Sequence, residues 1–179
     1  MGADVEFSRP VRVDQLSARI NRLNVVADGA ERIRLAARFD LVELRSLEAD
    51  VELRPLGRSG RVRVKGGLTA EVVQTCVVTL APLEATVTEV LDLTFGPCEA
   101  AEDETGEVDL SWDRDDPPDP IIDGVIDIGE AVAEHLALAL NPFPRAPDAE
   151  FEPPAEREDA PDERVGPFAG LATLRRKNE

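Results

Sequence analysis

"VRVKGGLTAEVVQTCVVTL", residues 62–80, decides the fold. Val62, Val64, Leu68, Ala70, Val72, Cys76, Val78 and Leu80 all fall on even numbers. Apolar residues at period two indicate a strand with one buried face. Gly66-Gly67 admits two readings. As a two-residue hairpin turn it would set Lys65 opposite Leu68, on the apolar side defined by Leu68, Ala70 and Val72. As part of one continuous strand it leaves the parity unbroken, and this is the preferred reading. About twenty residues at ~3.3 Å each outrun a small domain. The strand must therefore bend, and a bulge or coil is expected at the glycine pair.

Upstream, Ala49, Val51 and Leu53 alternate with Glu48, Asp50, Glu52 and Arg54, a second strand with one wet face. "PLGRSG", residues 55–60, is the turn between the two. Downstream, Ala81-Pro82 turns into Leu83, Ala85, Val87, Leu91, Leu93 and Phe95, now on odd numbers with Glu89 as the exception. Three long strands in succession make an antiparallel meander.

Around the meander lie shorter elements. Phe7 to Val13 reads as a short strand or extended arm whose Pro10 belongs at an edge. Leu23, Val25 and Ala27 alternate as another strand. Asp28 and Glu31 have capping-box spacing, and Ile33, Ala36 and Ala37 are expected to share one face of a short helix, with Arg32, Arg34 and Arg38 around the remainder. Asp127-Ile-Gly-Glu130 repeats the capping spacing before a stripe of Ile128, Ala131, Val132, Leu136, Ala139 and Leu140, a helix closed by Pro142. The fold class is α+β: a bent antiparallel sheet, a covering helix, a short second helix, an acidic loop and a C-terminal tail.

Residues 1–144 form the expected domain. Within it, 96–121 is expected to be an acidic mobile loop, too long and polar for an ordinary connection, with Trp112 tucked onto the sheet. Residues 145–179 are an acidic, Pro-rich tail. It ends in a short helix over 167–176, where Phe168, Leu171, Ala172 and Leu174 share a face followed by Arg175, Arg176 and Lys177. So short a helix is unstable alone and reads as a docking element.

The 179 residues carry a net charge of -17, unevenly placed. Residues 1–68 hold 13 basic and 10 acidic side chains; residues 69–179 hold 7 and 27. The acidic half repels phosphate backbones. The first half holds most of the arginines, and Arg32, Arg34 and Arg38 are candidates for contact with RNA or an acidic partner, although solvated faces explain most surface charge. The sequence has no run of ~18 apolar residues and no signal-peptide pattern, and position 6 is Glu where myristoylation wants Ser or Thr. With two cysteines, a cytoplasmic setting and free thiols are expected.

Catalysis finds little support. Cys76 sits on the apolar face with Val72 and Val78, where free cysteine acts as a small hydrophobe. A nucleophile needs a base and a lowered pKa; a Cys76–His135 dyad is the one arrangement available, and His135 reads better as a helix-boundary residue. Cys76, Cys98 and His135 are too few and too irregularly spaced for zinc. Counted from Asp113, the EF-hand's sixth and twelfth positions hold Pro118 and Gly124, so that motif fails. No phosphate-binding glycine motif is present. No metal, cofactor or small-molecule substrate is expected.

The segments "FSRPVRVDQL", "GGLTAEVVQTCVVTLAPLEATVTEVLDLTF", "DPPDPIIDGVIDIGEAVAEHLALALNPFPRAP" and "GPFAGLATLRRK", in this order, resemble the YceD family, also called domain of unknown function 177, in its alphaproteobacterial form. The resemblance covers most of the chain. It implies a non-enzymatic factor needed for accumulation of 23S ribosomal RNA, hence large-subunit biogenesis. Many relatives carry C-x-R-C at the central strand and further cysteines after the helix. Here the positions read Cys76-Val77-Val78-Thr79 and Asn141-Pro142-Phe143-Pro144-Arg145, so no metal role carries over. The function expected is binding of 23S rRNA or a basic ribosomal protein on large-subunit precursors. Arg32, Arg34, Arg38, Phe168, Leu171, Leu174, Arg175 and Arg176 are the candidate contact residues. The rival readings are a general acidic adaptor or chaperone for basic proteins and, more distantly, a thiol enzyme using Cys76.

Overall fold

A computed structural model describes residues 5–57, 59–97 and 117–151. The chain divides into two units, Met1–Ala149 and Glu150–Glu179. Every described helix and strand belongs to the first. The expected tail helix over 167–176, Trp112, Cys98 and most of the acidic loop lie outside the described residues.

The meander is present. Strands β3 (Glu43–Pro55), β4 (Val62–Thr75) and β5 (Pro82–Pro97) pair antiparallel in sequence order. β2 (Asn21–Val26) adds antiparallel to β3, and β6 (Asp119–Ile121) adds parallel to β5. The sheet order is β2-β3-β4-β5-β6. A separate pair joins β1 (Pro10–Arg12) to β7 (Val125–Asp127). Helices α1 (Gly29–Arg38) and α2 (Ile128–Ala139) complete the α+β architecture.

The parity reading placed the inner face correctly. Leu47, Ala49, Val51 and Leu53 of β3 and Val62, Val64, Leu68, Ala70 and Val72 of β4 are buried, joined by Leu91 and Phe95 of β5. α2 contributes Ile128, Ala131, Val132 and Leu136 to the same core. Full burial of each large aliphatic or aromatic side chain is worth about 1.5–3 kcal/mol.

Several expectations need correction. β4 runs unbroken through Gly66 and Gly67, but no bulge occurs there; the register shift lies between Leu44 and Ser46 of β3. Gly66 instead permits close approach. A Cβ on it would collide with the Asp50 carbonyl oxygen and stand 2.8 Å from Val51 Cα. The strand stops at Thr75, so Cys76 to Leu80 form the β4–β5 turn. Leu80 takes a φ of 61° and is exposed, its even number being coincidental. On α1 the buried residues are Glu31 and Leu35, four apart, while Ile33 is 73% exposed. The ends of the expected 96–121 loop are structured: Gly96 and Pro97 close β5, and Asp119–Ile121 is β6.

Candidate partner interface

The N-terminal arm stitches the two helices together. The Asp28 side chain accepts from the Glu31 N–H (2.8 Å), and Glu31 returns the bond by accepting from the Asp28 N–H (2.8 Å), the capping box expected from spacing. Glu31 also accepts from both Arg9 terminal nitrogens, at 2.6 and 2.8 Å. The Arg9 bonds hold the buried carboxyl below its usual range, against the opposing effect of desolvation. At α2, Asp127 accepts from Ser8 Oγ (2.5 Å) and from the N–H groups of Arg9 (2.7 Å), Gly129 (3.0 Å) and Glu130 (3.2 Å). Gly129 must be glycine, since a Cβ would lie 2.8 Å from Arg9 N and Phe7 O. The second capping box is only half formed, because the Glu130 carboxylate turns to Arg38.

The three α1 arginines therefore have internal partners. Arg38 binds Glu130 through two nitrogens (2.7 and 3.0 Å) and reaches Glu6 (3.3 Å), clamping α1 to α2 and the arm. Arg34 donates to the Glu6 carbonyl at 3.0 Å. Arg32 donates through Nη1 to the Arg45 carbonyl, while its Nε is buried without a partner among the described residues. Phe168, Leu171, Leu174, Arg175 and Arg176 lie outside the described residues.

On the outer face of the sheet, positive charge is neutralised locally. Arg22 meets Glu52 (2.9 Å), Arg45 meets Glu84 (2.7 Å) and Glu43 (3.2 Å), and Asp92 takes both Arg63 (2.8 Å) and Lys65 (3.2 Å). Arg63, with Lys65 beside it, holds Asp92 down at about 2. Arg22, Arg45, Arg63 and Lys65, four of the 13 basic side chains in residues 1–68, are thus matched by acids across the sheet.

Cys76 is fully buried in the β4–β5 turn. Its sulfur accepts from the Thr79 and Ala146 N–H groups, each at 3.4 Å. Thr79 and then the Ala146 N–H lower the thiol pKa toward about 6, while burial works the other way. The Cys76 N–H closes the turn on the Ala81 carbonyl (2.8 Å), and the Val77 N–H donates to the Pro144 carbonyl (2.9 Å), which ties the turn to the segment after α2. The sulfur's bonding partners come from the turn and from Ala146, and His135 is not among them. The described residues contain no group of three or more His, Cys, Asp or Glu placed to hold a metal.

His135 instead lines a cleft of about 490 Å³ between the end of β5, β6, the turn before β7 and α2. Leu93, Phe95 and Ala131 form its apolar floor. Asp119, Asp123 and Glu134 stand exposed at its rim, and none makes an ion pair among the described residues. Sequence reading missed this cleft. Its parts are scattered from residue 93 to residue 135, and only the β5–β6 pairing and the Asp127 cap bring them together.

The family model described as "Large ribosomal RNA subunit accumulation protein YceD" matches residues 64–175, more than half of the chain. The chain belongs to the YceD family. Neither the curated proteins nor the solved structures yield a match. The span shared with the YceD model begins in β4 and contains Cys76, all of the cleft and α2. It leaves out β1, β2, β3 and α1, and with them Arg32, Arg34 and Arg38. No described helix is long and apolar enough to cross a membrane.

Proposed function

We propose that this YceD-family chain acts in the cytoplasm as a non-enzymatic factor that supports 23S rRNA accumulation by binding large-subunit precursors. The observation that carries the reading is the family match over residues 64–175. The ligand is rRNA or a basic ribosomal protein, and two features favour the protein. The α1 arginines are engaged within the molecule, and the chain's net charge of -17 opposes contact with phosphates. The segment around Phe168, Leu171 and Leu174, with Arg175 and Arg176, serves as a second contact, docking once its partner is present.

Deletion of the gene tests the reading. Cells lacking the chain should accumulate less 23S than 16S rRNA, and the tagged chain should co-sediment with large-subunit precursors at low salt. Normal rRNA ratios together with no particle association would remove it. The adaptor reading would then lead, and would require salt-sensitive binding to many unrelated basic proteins. Truncation after Phe151 should weaken particle association. It spares Ala149, which is buried and whose carbonyl accepts from Arg145 at 2.7 Å.

A further inference from the structure

We infer that the cleft between β5, β6 and α2 is a docking groove for an extended segment of a basic protein, taking a lysine or arginine side chain over its floor. The biological partner rests on the assembly reading above; the chemistry rests on the groove. Leu93, Phe95 and Ala131 offer an apolar floor, and Asp119, Asp123 and Glu134 offer three carboxylates that lack an ion pair among the described residues. Among the described residues, no lysine or arginine lines the cleft. Its two other acids have duties elsewhere, Asp127 capping α2 and Glu130 holding Arg38.

A long cationic side chain suits such a site because its methylene stem covers apolar surface while its head stays at the wet rim. A phosphate backbone does not suit it, since three exposed carboxylates repel it. Neighbouring clefts have the opposite character in part: Arg22 and Lys65 line the one across β2, β3 and β4, and Arg32 lines the one between α1 and β3. A cationic segment therefore has a reason to choose this groove over those. The backbone beside it is also open. β6 pairs with β5 only at Phe95, Gly96 and Pro97, so the outer edge of β5 before Phe95 has no strand neighbour among the described residues. Such an edge accepts an added strand, which is why an extended segment is the fitting occupant.

The test uses the full chain and a fluorescein-labelled ten-residue peptide of alternating lysine and valine. Anisotropy should show saturable binding, and amide NMR shifts should concentrate at residues 91–95 and 119–135. A variant carrying Asp123→Asn and Glu134→Gln should weaken binding roughly three- to tenfold, as loss of two exposed charge pairs would. Asn also tolerates the φ of 52° at position 123. The same change of charge on the outer sheet face, Glu48→Gln with Glu71→Gln, should alter binding less than about twofold. Shifts centred elsewhere, equal weakening by both variants, or displacement of the peptide by an RNA hairpin bound in the groove would overturn the inference. In cells the deletion strain separates the two claims. Full rescue of 23S rRNA by the groove variant overturns the groove while leaving the assembly reading intact. Normal rRNA in the deletion strain overturns the assembly reading, and the peptide measurements then decide the groove alone.

Discussion

Glu31 occupies the buried stripe of α1, where an ionised carboxylate is costly unless its oxygens are satisfied. Three donors satisfy it: the Asp28 N–H and the two Arg9 nitrogens. Its pKa in the folded chain lies below the ordinary carboxylate value. The stability it contributes is therefore fully present above the unfolded-state pKa of about 4.3. That stability is lost as pH falls through the lower folded value. Glu31→Gln should destabilise the protein by about 1–3 kcal/mol at neutral pH. It should also flatten the acid limb of stability against pH, measured by urea unfolding from pH 7 down to pH 3. An unchanged acid limb would show that the Arg9 bond contributes nothing. Half of this node was legible, since Asp28 and Glu31 stand at capping-box spacing. Arg9 was not, because its partner lies 22 residues away. That unseen bond also explains the misplacement of Ile33: with Glu31 drawn inward, the buried stripe runs from Glu31 to Leu35 and Ile33 turns to solvent.

Among the elements, β4 was the most legible. An inner face of Val62, Val64, Leu68, Ala70 and Val72 can be read from alternation alone because sheet periodicity is strictly two. The role of its glycines was less legible, since a glycine in a strand marks either a bulge or a close approach and periodicity does not distinguish them. The structure assigns the roles separately. At Gly66 an added Cβ meets backbone atoms of Asp50 and Val51, whereas at Gly67 the nearest is the Glu89 carbonyl at 3.4 Å. Backbone on a paired strand cannot move aside as a side-chain end can. Gly66→Ala should therefore cost about 2–4 kcal/mol by overpacking, and Gly67→Ala less than about 1 kcal/mol. Denaturant midpoints of the two variants decide this. Equal costs would mean that β3 and β4 separate freely at Gly66. The end of β4 shows the limit of parity: Val78 and Leu80 keep even numbers after the strand has stopped, and Leu80 is set by a positive φ that no alternation reports.

At the scale of the whole molecule, the sequence shows a basic half and an acidic half, and folding joins the two at Glu84, Asp92 and Glu130. β2 and β4 set arginines against acids on adjacent strands, and Arg38 joins α1 to α2 through Glu130. Charge totals by segment cannot anticipate this, because the pairs cross 29 or more positions, from Arg63 to Asp92 and from Arg38 to Glu130. The consequence bears on any test of the arginine helix. Arg38→Glu would face Glu130 and Glu6 with a like charge, so it should lower stability by about 1–2 kcal/mol through a broken, partly solvated clamp. It would then weaken every association regardless of ligand. Arg34 is the cleaner probe, since it is exposed and, among the described residues, its hydrogen bonds go only to the Glu6 carbonyl. Arg34→Glu should change the unfolding midpoint little and, if a protein segment in the cleft is the main ligand, leave co-sedimentation with large-subunit precursors intact. Glu134→Lys, on the cleft rim, should reduce co-sedimentation at unchanged stability, and the reduction should shrink as salt screens the exposed charge. If Arg34→Glu proves the more damaging of the two in particles purified at low salt, the α1 face meets RNA and the protein-segment reading fails.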